Sequence, residues 1–333
     1  MARAIPENVQ RLITEYQQSQ IRLIDKIATL EARGNSTLYS KQLLASVNQE
    51  LTTLNQFASK WAAEEIPGAY RAGMDLSYQA YRKAAIDVTK VAASQKVLKN
   101  LVDNVTESLT DANNFVGRRI RDDLRQAGLE AVAQKLSTGA TVKETKKILL
   151  QKMSDKGITT LVNKNGRAMN LDAYASMTAR TTTREATNRG SIDAVLAVGG
   201  DLMEIPQHFS TCPVCSIYEG RVYSITGKSK DYPPLSEAFG GYDIIHPSCS
   251  HSAVPYFEET NDPDVVESNK TASNKPFEID PAKKKSIDAY NKDQAVKTAR
   301  RIDRNDWESK KLAGENVPKT FSGYRAQVRA AAK

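Results

Sequence analysis

Apolar residues recur at steps of three and four along the first 150 positions, which is the spacing of one face of an α-helix. The pattern predicts four successive helices, over about residues 9–30, 44–66, 69–113 and 115–136. Pro67 and Gly68 are expected to end the second helix, because proline lacks the backbone N–H that a helix interior uses. Thr141 and Glu144 have the spacing of a capping box, which predicts a short fifth helix to Met153.

After Lys156 the pattern changes to short runs rich in β-branched residues. Strands are predicted at residues 158–162, 167–171, 202–205 and 221–225, and a helix at about 172–198. Asn165-Gly166 lies between the first two runs and is typical of a hairpin turn. The loop-like stretch 226–245 is long, so we expect it to carry function or to be held by a specific contact.

The end of the chain is first polar and then basic. Asn, Asp, Ser, Thr and Lys dominate residues 258–281, which predicts a linker, and helices are expected over about residues 283–313 and, more weakly, 322–332. The chain is therefore divided into a helical region 1–156, a small α+β domain 157–257, a linker 258–282 and a basic helical tail 283–333. The narrow apolar stripes of the first region suit either a bundle or extended helices.

The positive charge of the chain is concentrated in this tail. The formal net charge is +8, and the segment from Lys283 to Lys333 alone holds fourteen Lys or Arg against six Asp or Glu. A basic segment beside a neutral body favours contact with phosphate or with an acidic protein surface. A solvated helix face of mixed charge is the other interpretation. The candidate contact residues are Lys283, Lys284, Lys285, Arg300, Arg301, Arg304, Lys310 and Lys311.

Composition excludes several classes of protein. Hydrophobic residues make up 40% and charged residues 26% of the chain, which is an ordinary globular mixture. No apolar run approaches the ~18 residues of a transmembrane helix, and no secretory signal peptide is expected at the start. Phosphate-binding glycine loops, zinc-protease and serine-hydrolase motifs are lacking from the sequence. We therefore do not expect an enzyme.

All cysteines and histidines of the chain fall within 44 residues, between His208 and His251. Cys212-Pro-Val-Cys215 is a C-x-x-C pair, and His246-Pro-Ser-Cys249-Ser-His251 follows it. Zn²⁺ takes four such ligands in a tetrahedron, and a C-x-x-C turn can supply two thiolates to one ion. The preferred ligand set is Cys212, Cys215, Cys249 and His251, with His246 as the alternative to His251.

A site closed by four protein ligands is structural, because no position stays open for a substrate. We expect such a zinc clasp to fix the loop 216–245 and to replace the core that few strands cannot supply. Three alternatives stay open: buried free thiols with unrelated histidines, a Cys212–Cys215 disulfide, and a catalytic zinc with three protein ligands. The predicted fold class is mainly α, with a small α+β domain clasped by zinc and a C-terminal basic helix.

One helix face carries Arg180, Arg184 and Asn188 at steps of four. These side chains could hold a phosphate or a partner carboxylate. A solvated helix face or a hydrogen-bond network within the domain is the simpler interpretation.

Several of these motifs together resemble those of a known family. They are Trp61 with Ile66-Pro67, Ala179-Arg-Thr-Thr-Thr-Arg-Glu-Ala186, the C-x-x-C pair, Glu219-Gly-Arg-Val-Tyr-Ser224, Gly240-Gly-Tyr242 and the closing His246–His251 block. The combination is similar to the phage minor capsid protein 2 family and to the wider group of phage head morphogenesis proteins. The last position of the block alternates between Cys and His in the family, which favours His251 as a ligand. The family usually has a basic residue before it, where this chain has Ser250.

The resemblance implies a minor structural component of a tailed-phage head that acts in capsid assembly at the portal vertex. Implied partners are the portal protein and other head proteins, together with packaged double-stranded DNA bound without sequence preference. The expected location is the virion, in the head interior or at the portal vertex, after assembly in the host cytoplasm. The alternative is an enzyme delivered with the genome, either a metal-dependent nuclease or an ADP-ribosyltransferase-like toxin.

Overall fold

The computed structural model describes residues 6–29, 36–138, 160–162, 168–208, 211–241 and 243–331. Eight α-helices lie in these ranges: α1 Glu7–Thr29, α2 Ser36–Lys83, α3 Gln95–Thr138, α4 Leu171–Ala197, α5 Pro213–Ser216, α6 Pro263–Ser273, α7 Lys284–Leu312 and α8 Phe321–Ala331. The strands are β1 Thr160–Val162, β2 Ala168–Asn170, β3 Leu202–Ile205, β4 Arg221–Ser224 and β5 Val254–Pro255. The prediction of a mainly α fold with a small α+β part is confirmed.

The N-terminal helices are longer than the sequence predicted. Helix α2 continues through Pro67 to Lys83, so the predicted end at Pro67 is wrong. Ile66 and Tyr70 on either side of the proline are buried, and their packing outweighs the one backbone hydrogen bond that Pro67 cannot donate. The predicted helix 69–113 is interrupted after Lys83, and its second part joins the predicted fourth helix as α3. The capping box at Thr141 lies outside the described residues.

The described residues cluster into two compact units. We call the first the cysteine unit; it comprises Met1–Val9, Lys60–Thr106 and Met177–Gln294. The second, the helical unit, comprises Gln10–Ser59, Glu107–Ser176 and Ala295–Lys333. The four-part division of the sequence remains a prediction.

The helical unit is built on the apolar stripes of α1, the first part of α2 and the second part of α3. Its buried side chains include Leu12, Tyr16, Leu23, Val47, Leu54, Leu109, Val116, Ile120 and Trp307. Polar contacts join the helices, since the amide of Asn113 donates to Tyr16 at 3.2 Å and to Asn55 at 2.6 Å. Strands β1 and β2 pair antiparallel, with Leu161 opposite Met169. This register confirms the predicted hairpin strands; the turn itself lies outside the described residues.

In the cysteine unit, α2 and α4 cross at two glycines. A Cβ atom on Gly73 would overlap the backbone carbonyl of Thr187, and one on Gly190 would overlap the carbonyl of Tyr70. Beside this crossing, the hydroxyls of Ser77 and Ser191 are hydrogen-bonded at 2.6 Å. Small residues on both helices therefore allow backbone-to-backbone contact, which fixes α4 against α2.

The small sheet of the cysteine unit has the order β4-β3-β5 and is antiparallel throughout. Its core contains Tyr81, Ile192, Val195, Met203, Ile205, Tyr223, Leu235 and Phe239. β3 and β4 are in register from Leu202 opposite Ser224 to Ile205 opposite Arg221, which agrees with the two predicted strands. This sheet and α4 together support the loops that carry the cysteines.

Residues 258–282, predicted as a linker, contain helix α6, which packs against β4. The guanidinium of Arg221 donates to the carbonyls of Ser273 and Pro276 at 3.1 and 2.8 Å and also to that of Lys275. The backbone of Val222 donates to the Ser273 hydroxyl at 2.9 Å. A composition typical of linkers is thus ordered here by contacts with β4, among them those of one buried arginine that satisfies three carbonyls at and just after the end of α6.

None of the helices in the described ranges is both long enough and apolar enough to cross a membrane.

Candidate metal centre

The three cysteines lie together in the cysteine unit and are all buried, with exposures of 7% for Cys212, 2% for Cys215 and 5% for Cys249. None of them forms a disulfide. Cys212 is the N-cap of α5, and its sulfur accepts the backbone N–H of Cys215 at 3.3 Å. Pro213 follows it at the first helical position, where the missing N–H has no consequence. This turn directs both sulfurs to the same side.

His246 completes a first group of donors with Cys212 and Cys215. Its Nε2 lies 3.1 Å from the Cys212 sulfur and 2.9 Å from the Cys215 sulfur. Its Nδ1 donates to the carbonyl of Pro247 at 2.8 Å, since a carbonyl can only accept. In the neutral ring, the Nε2 lone pair therefore faces the two sulfurs.

His251 belongs to a second group with Cys215 and Cys249. The sulfurs of Cys215 and Cys249 are 3.6 Å apart, and Nδ1 of His251 lies 3.4 Å from the Cys249 sulfur. Nε2 of His251 is hydrogen-bonded to the carboxylate of Glu219, and both side chains are almost fully buried. Cys215 is thus shared by both groups, and each histidine directs one nitrogen at a sulfur.

Hydrogen bonding within the cluster shifts the pKa of every member. Contact with Cys215, and also with His246, lowers the pKa of Cys212 to about 4. Contacts with Cys215 and His251 lower the pKa of Cys249 to about 4. The contacts with Cys212 and Cys249 raise the pKa of Cys215 in turn. Hydrogen bonding to Cys212 raises the pKa of His246 to about 9. Because the thiolate is the form that binds metal, the low pKa of two cysteines favours a metal site.

His208 lies on the other side of His251. The two rings are stacked, with centroids 4.1 Å apart and planes 7° from parallel. His208, Glu219 and His251 also lie close enough to form a third group of potential ligands. Stacked parallel rings, however, do not direct their nitrogens at one shared point, so this group fits a metal ion less well than the two sulfur-containing groups do.

Helix α4 holds the loop that carries Cys249 and His251. The Asn188 amide donates to the carbonyl of Asp243 at 2.7 Å and to that of His251 at 3.5 Å. The hydroxyl of Thr181 accepts the backbone N–H of Ser248 at 2.9 Å, and Arg184 donates to the hydroxyl of Ser252. Arg184 and Asn188 are thus part of a hydrogen-bond network within the unit, which supports the network interpretation of this helix face.

The donor set decides which ions fit. Three thiols and an imidazole are soft or borderline ligands, the types that suit Zn²⁺ and do not suit Ca²⁺ or Mg²⁺. All four predicted ligands and the alternative His246 are members of the sulfur-containing groups. The buried cluster could hold a metal ion. Glu219 was part of a sequence motif, but neither its position nor its spacing indicated that it would contact His251.

The basic residues of the tail fall into two sets. The residues of the first set form ion pairs with acidic residues of the chain itself. The pairs are Lys283–Glu219 at 3.5 Å, Arg304–Glu308 at 3.0 Å, with Arg304 buried, Lys310–Asp306 at 2.9 Å and Lys311–Asp25 at 2.7 Å. The second set consists of the exposed Lys284, Lys285, Arg300 and Arg301. The structure therefore uses half of the candidate contact residues for its own folding.

Comparison with known proteins bears on nearly the whole chain. The sequence profile of the family described as phage minor capsid protein 2 matches residues 8–333. No match was found among curated proteins or among solved structures. The matched region includes the N-terminal helices, the Cys–His cluster and the basic tail. The chain therefore belongs to the phage minor capsid protein 2 family.

Proposed function

We propose that the chain is a structural component of a tailed-phage head that acts in capsid assembly at the portal vertex. Support comes from its family, which is one of minor capsid proteins, and from an exposed basic helix segment described below. Other head proteins are the expected partners. In this role the cysteine unit is a rigid module, and the tail supplies the contact surface.

The proposed role of the Cys–His cluster is a structural zinc clasp held by Cys212, Cys215, Cys249 and His251, with His246 as the alternative fourth ligand. Four protein ligands would close the coordination shell and leave no site for a substrate. The clasp would join the turn at α5 to the loop held by α4. Between them runs the stretch 216–245, in whose described residues the regular structure is β4 and one 3₁₀ turn at Leu235–Glu237.

The proposed contact surface rests on one observation: every residue of α7 between positions 295 and 302 is exposed. At 100° per residue, Lys297, Arg300 and Arg301 fall on one side of this segment. Ala295, Ala299 and Ile302 fall on the opposite side, and Val296 lies at the boundary, about 40° from Arg300. Two turns of helix are thus amphipathic and exposed to solvent within the described part of the chain.

This surface favours an acidic protein partner over DNA. Val296 and Ile302 are 62% and 59% exposed, and apolar side chains of this kind gain nothing from a phosphate backbone. A partner groove with an apolar floor and an acidic rim would cover both sides of the segment. DNA contact would use the arginines alone.

The clasp is tested by the metal content of purified, freshly reduced protein. We expect about one zinc ion per chain, and loss of that zinc in the Cys212→Ser/Cys215→Ser variant together with loss of order in the cysteine unit. Reduced protein that binds no zinc would contradict the clasp.

The contact surface is tested by cosedimentation with heads assembled without this protein. Arg300→Glu/Arg301→Glu is expected to weaken binding at least tenfold, equivalent to about 1.4 kcal/mol. Lys228→Glu/Lys230→Glu makes the same change of charge at exposed loop positions and serves as the control. Gold-labelled protein should appear at one vertex of each head; label at every vertex, or a Val296→Ser/Ile302→Ser variant with normal binding, would contradict the proposed contact.

A further inference from the structure

A buried carboxylate contacts the candidate metal centre from outside the sulfur cluster. Glu219 is 5% exposed. Its Oε1 is hydrogen-bonded to Nε2 of His251, and its Oε2 lies 3.5 Å from the ammonium of Lys283. The carboxylate is thus held between the imidazole ring of His251 and the ammonium of Lys283.

Lys283 is fixed in turn by three acceptors. Besides the carboxylate of Glu219, its ammonium donates to the backbone carbonyl of Ser216, at the end of α5, and to that of Glu219 at 3.2 Å. Two of the three ammonium protons are thus donated to carbonyls, and the positive charge faces the Glu219 carboxylate. The side chain of Lys283 is 14% exposed. Its role is therefore local, although it is the residue directly before the basic helix α7.

The position of one proton follows from these contacts. A carboxylate can only accept, so Nε2 of His251 carries the proton that is shared with Glu219. A neutral imidazole has one N–H, and its lone pair is then on Nδ1, the nitrogen that lies 3.4 Å from the Cys249 sulfur. Histidine ligands in metal sites commonly donate their second N–H to a carboxylate in this way, which fixes the tautomer and raises the ligand's basicity.

We propose that Glu219 is the positioning residue of the metal centre: it holds the proton on Nε2 of His251, so that Nδ1 occupies the fourth ligand position, and Lys283 fixes Glu219. This inference rests on the proposed clasp, because it assigns a residue to that metal. Lys283 also links the metal centre to α7, because it directly precedes that helix. Tyr290, one and a half turns into α7, packs against the three cysteines.

Zinc affinity tests the role of Glu219 in the full chain, measured by competition with a chelator of known affinity. Glu219→Leu is expected to weaken zinc binding by about 10- to 100-fold, the usual effect of losing an outer-shell partner. Glu219→Gln should retain most of the affinity, because the amide oxygen still accepts from Nε2–H. Glu204→Leu, at a half-buried glutamate on β3, is the matched control and should leave the affinity unchanged.

The histidine tautomer provides a readout that a purely structural role would not move. In ¹⁵N-labelled, zinc-loaded protein, His251 should show a protonated Nε2 and a metal-bound Nδ1. A protonated Nδ1 on His251, with His246 bound to the metal instead, would overturn the proposal even where Glu219→Leu does not fold. Wild-type protein that binds one zinc with the same affinity as Glu219→Leu would refute only this inference, whereas wild-type protein without zinc would refute the clasp itself.

Discussion

The close crossing of α2 and α4 allows a stability test in which two glycine-to-alanine changes on one helix have opposite signs. Gly68 and Gly73 both lie in α2. A Cβ atom on Gly68 has no neighbour within 4 Å, whereas one on Gly73 meets the carbonyl carbon and oxygen of Thr187. Alanine is favoured over glycine in a helix by about 1 kcal/mol, so Gly68→Ala should stabilise the protein by about that amount.

At Gly73 the same gain is outweighed by overlap. The atoms that the new methyl group meets belong to the backbone of α4, so no side-chain rotation can relieve the contact. Overpacking of this kind costs about 1–3 kcal/mol in well-packed interiors, and two backbone atoms that cannot move place Gly73→Ala at the upper end. We therefore expect a net destabilisation of about 2 kcal/mol.

The assay uses the two tryptophans of the chain. Trp61 lies in the cysteine unit and Trp307 in the helical unit. In a Trp307→Phe background, tryptophan fluorescence during urea unfolding reports on the unit that contains both glycines. The urea midpoint should rise for Gly68→Ala and fall for Gly73→Ala at a constant slope. If Gly73→Ala were as stable as Gly68→Ala, the backbone contact between α2 and α4 would be refuted.

Two further substitutions test buried charges. Arg221→Lys keeps the charge, but a lysine cannot reach the carbonyls of Ser273, Lys275 and Pro276 together. We expect the free energy of unfolding to fall by about 2 kcal/mol in the same urea assay. An unchanged urea midpoint would contradict the packing of α6 against β4. Burial raises the pKa of Glu308 to about 7 despite its contact with Arg304, so stability should fall as the pH rises from about 4.5 to about 7. Glu308→Gln should remove this loss and raise the free energy of unfolding by up to about 3 kcal/mol above pH 7. Unfolding is followed by the fluorescence of Trp307 in a Trp61→Phe background. A stability gain that does not change with pH would refute the raised pKa of Glu308.

The sequence predicted the elements whose signal is local. Apolar periodicity located α1, α4, α7 and α8, and strand-like runs located β1 to β4. The interruption after Lys83 could not be predicted, because residues 84–94 contain neither Gly nor Pro. It is held by distant contacts instead: the Tyr78 hydroxyl accepts the backbone N–H of Val91 at 3.0 Å, and Ile86 and Val88 pack against the core of the cysteine unit.

In the candidate site, too, the sequence predicted the residues with a local signal and missed those that depend on distant contacts. Its cysteines and histidines could be predicted, because few other side chains bind zinc and their spacing is conspicuous. Glu219 and Lys283 could not, since glutamate and lysine are abundant on every surface and their role depends on a buried contact across 64 positions of the chain. Residue chemistry thus identifies metal ligands, while the groups that orient those ligands emerge only from the fold.

The number of basic residues in the tail overestimates how many of them are available to contact a partner. Of the eight candidate residues, Lys283, Arg304, Lys310 and Lys311 contact acidic groups of the chain itself. If the four exposed residues met phosphates of duplex DNA, the affinity would fall with salt at a logarithmic slope of about −3.6, against about −7 for all eight. A groove on a head protein would give a weaker salt dependence, because Val296 and Ile302 would add apolar burial that salt does not screen. The salt slope therefore separates the two partners without any variant, and a slope near −7 would show that the internal ion pairs open on binding.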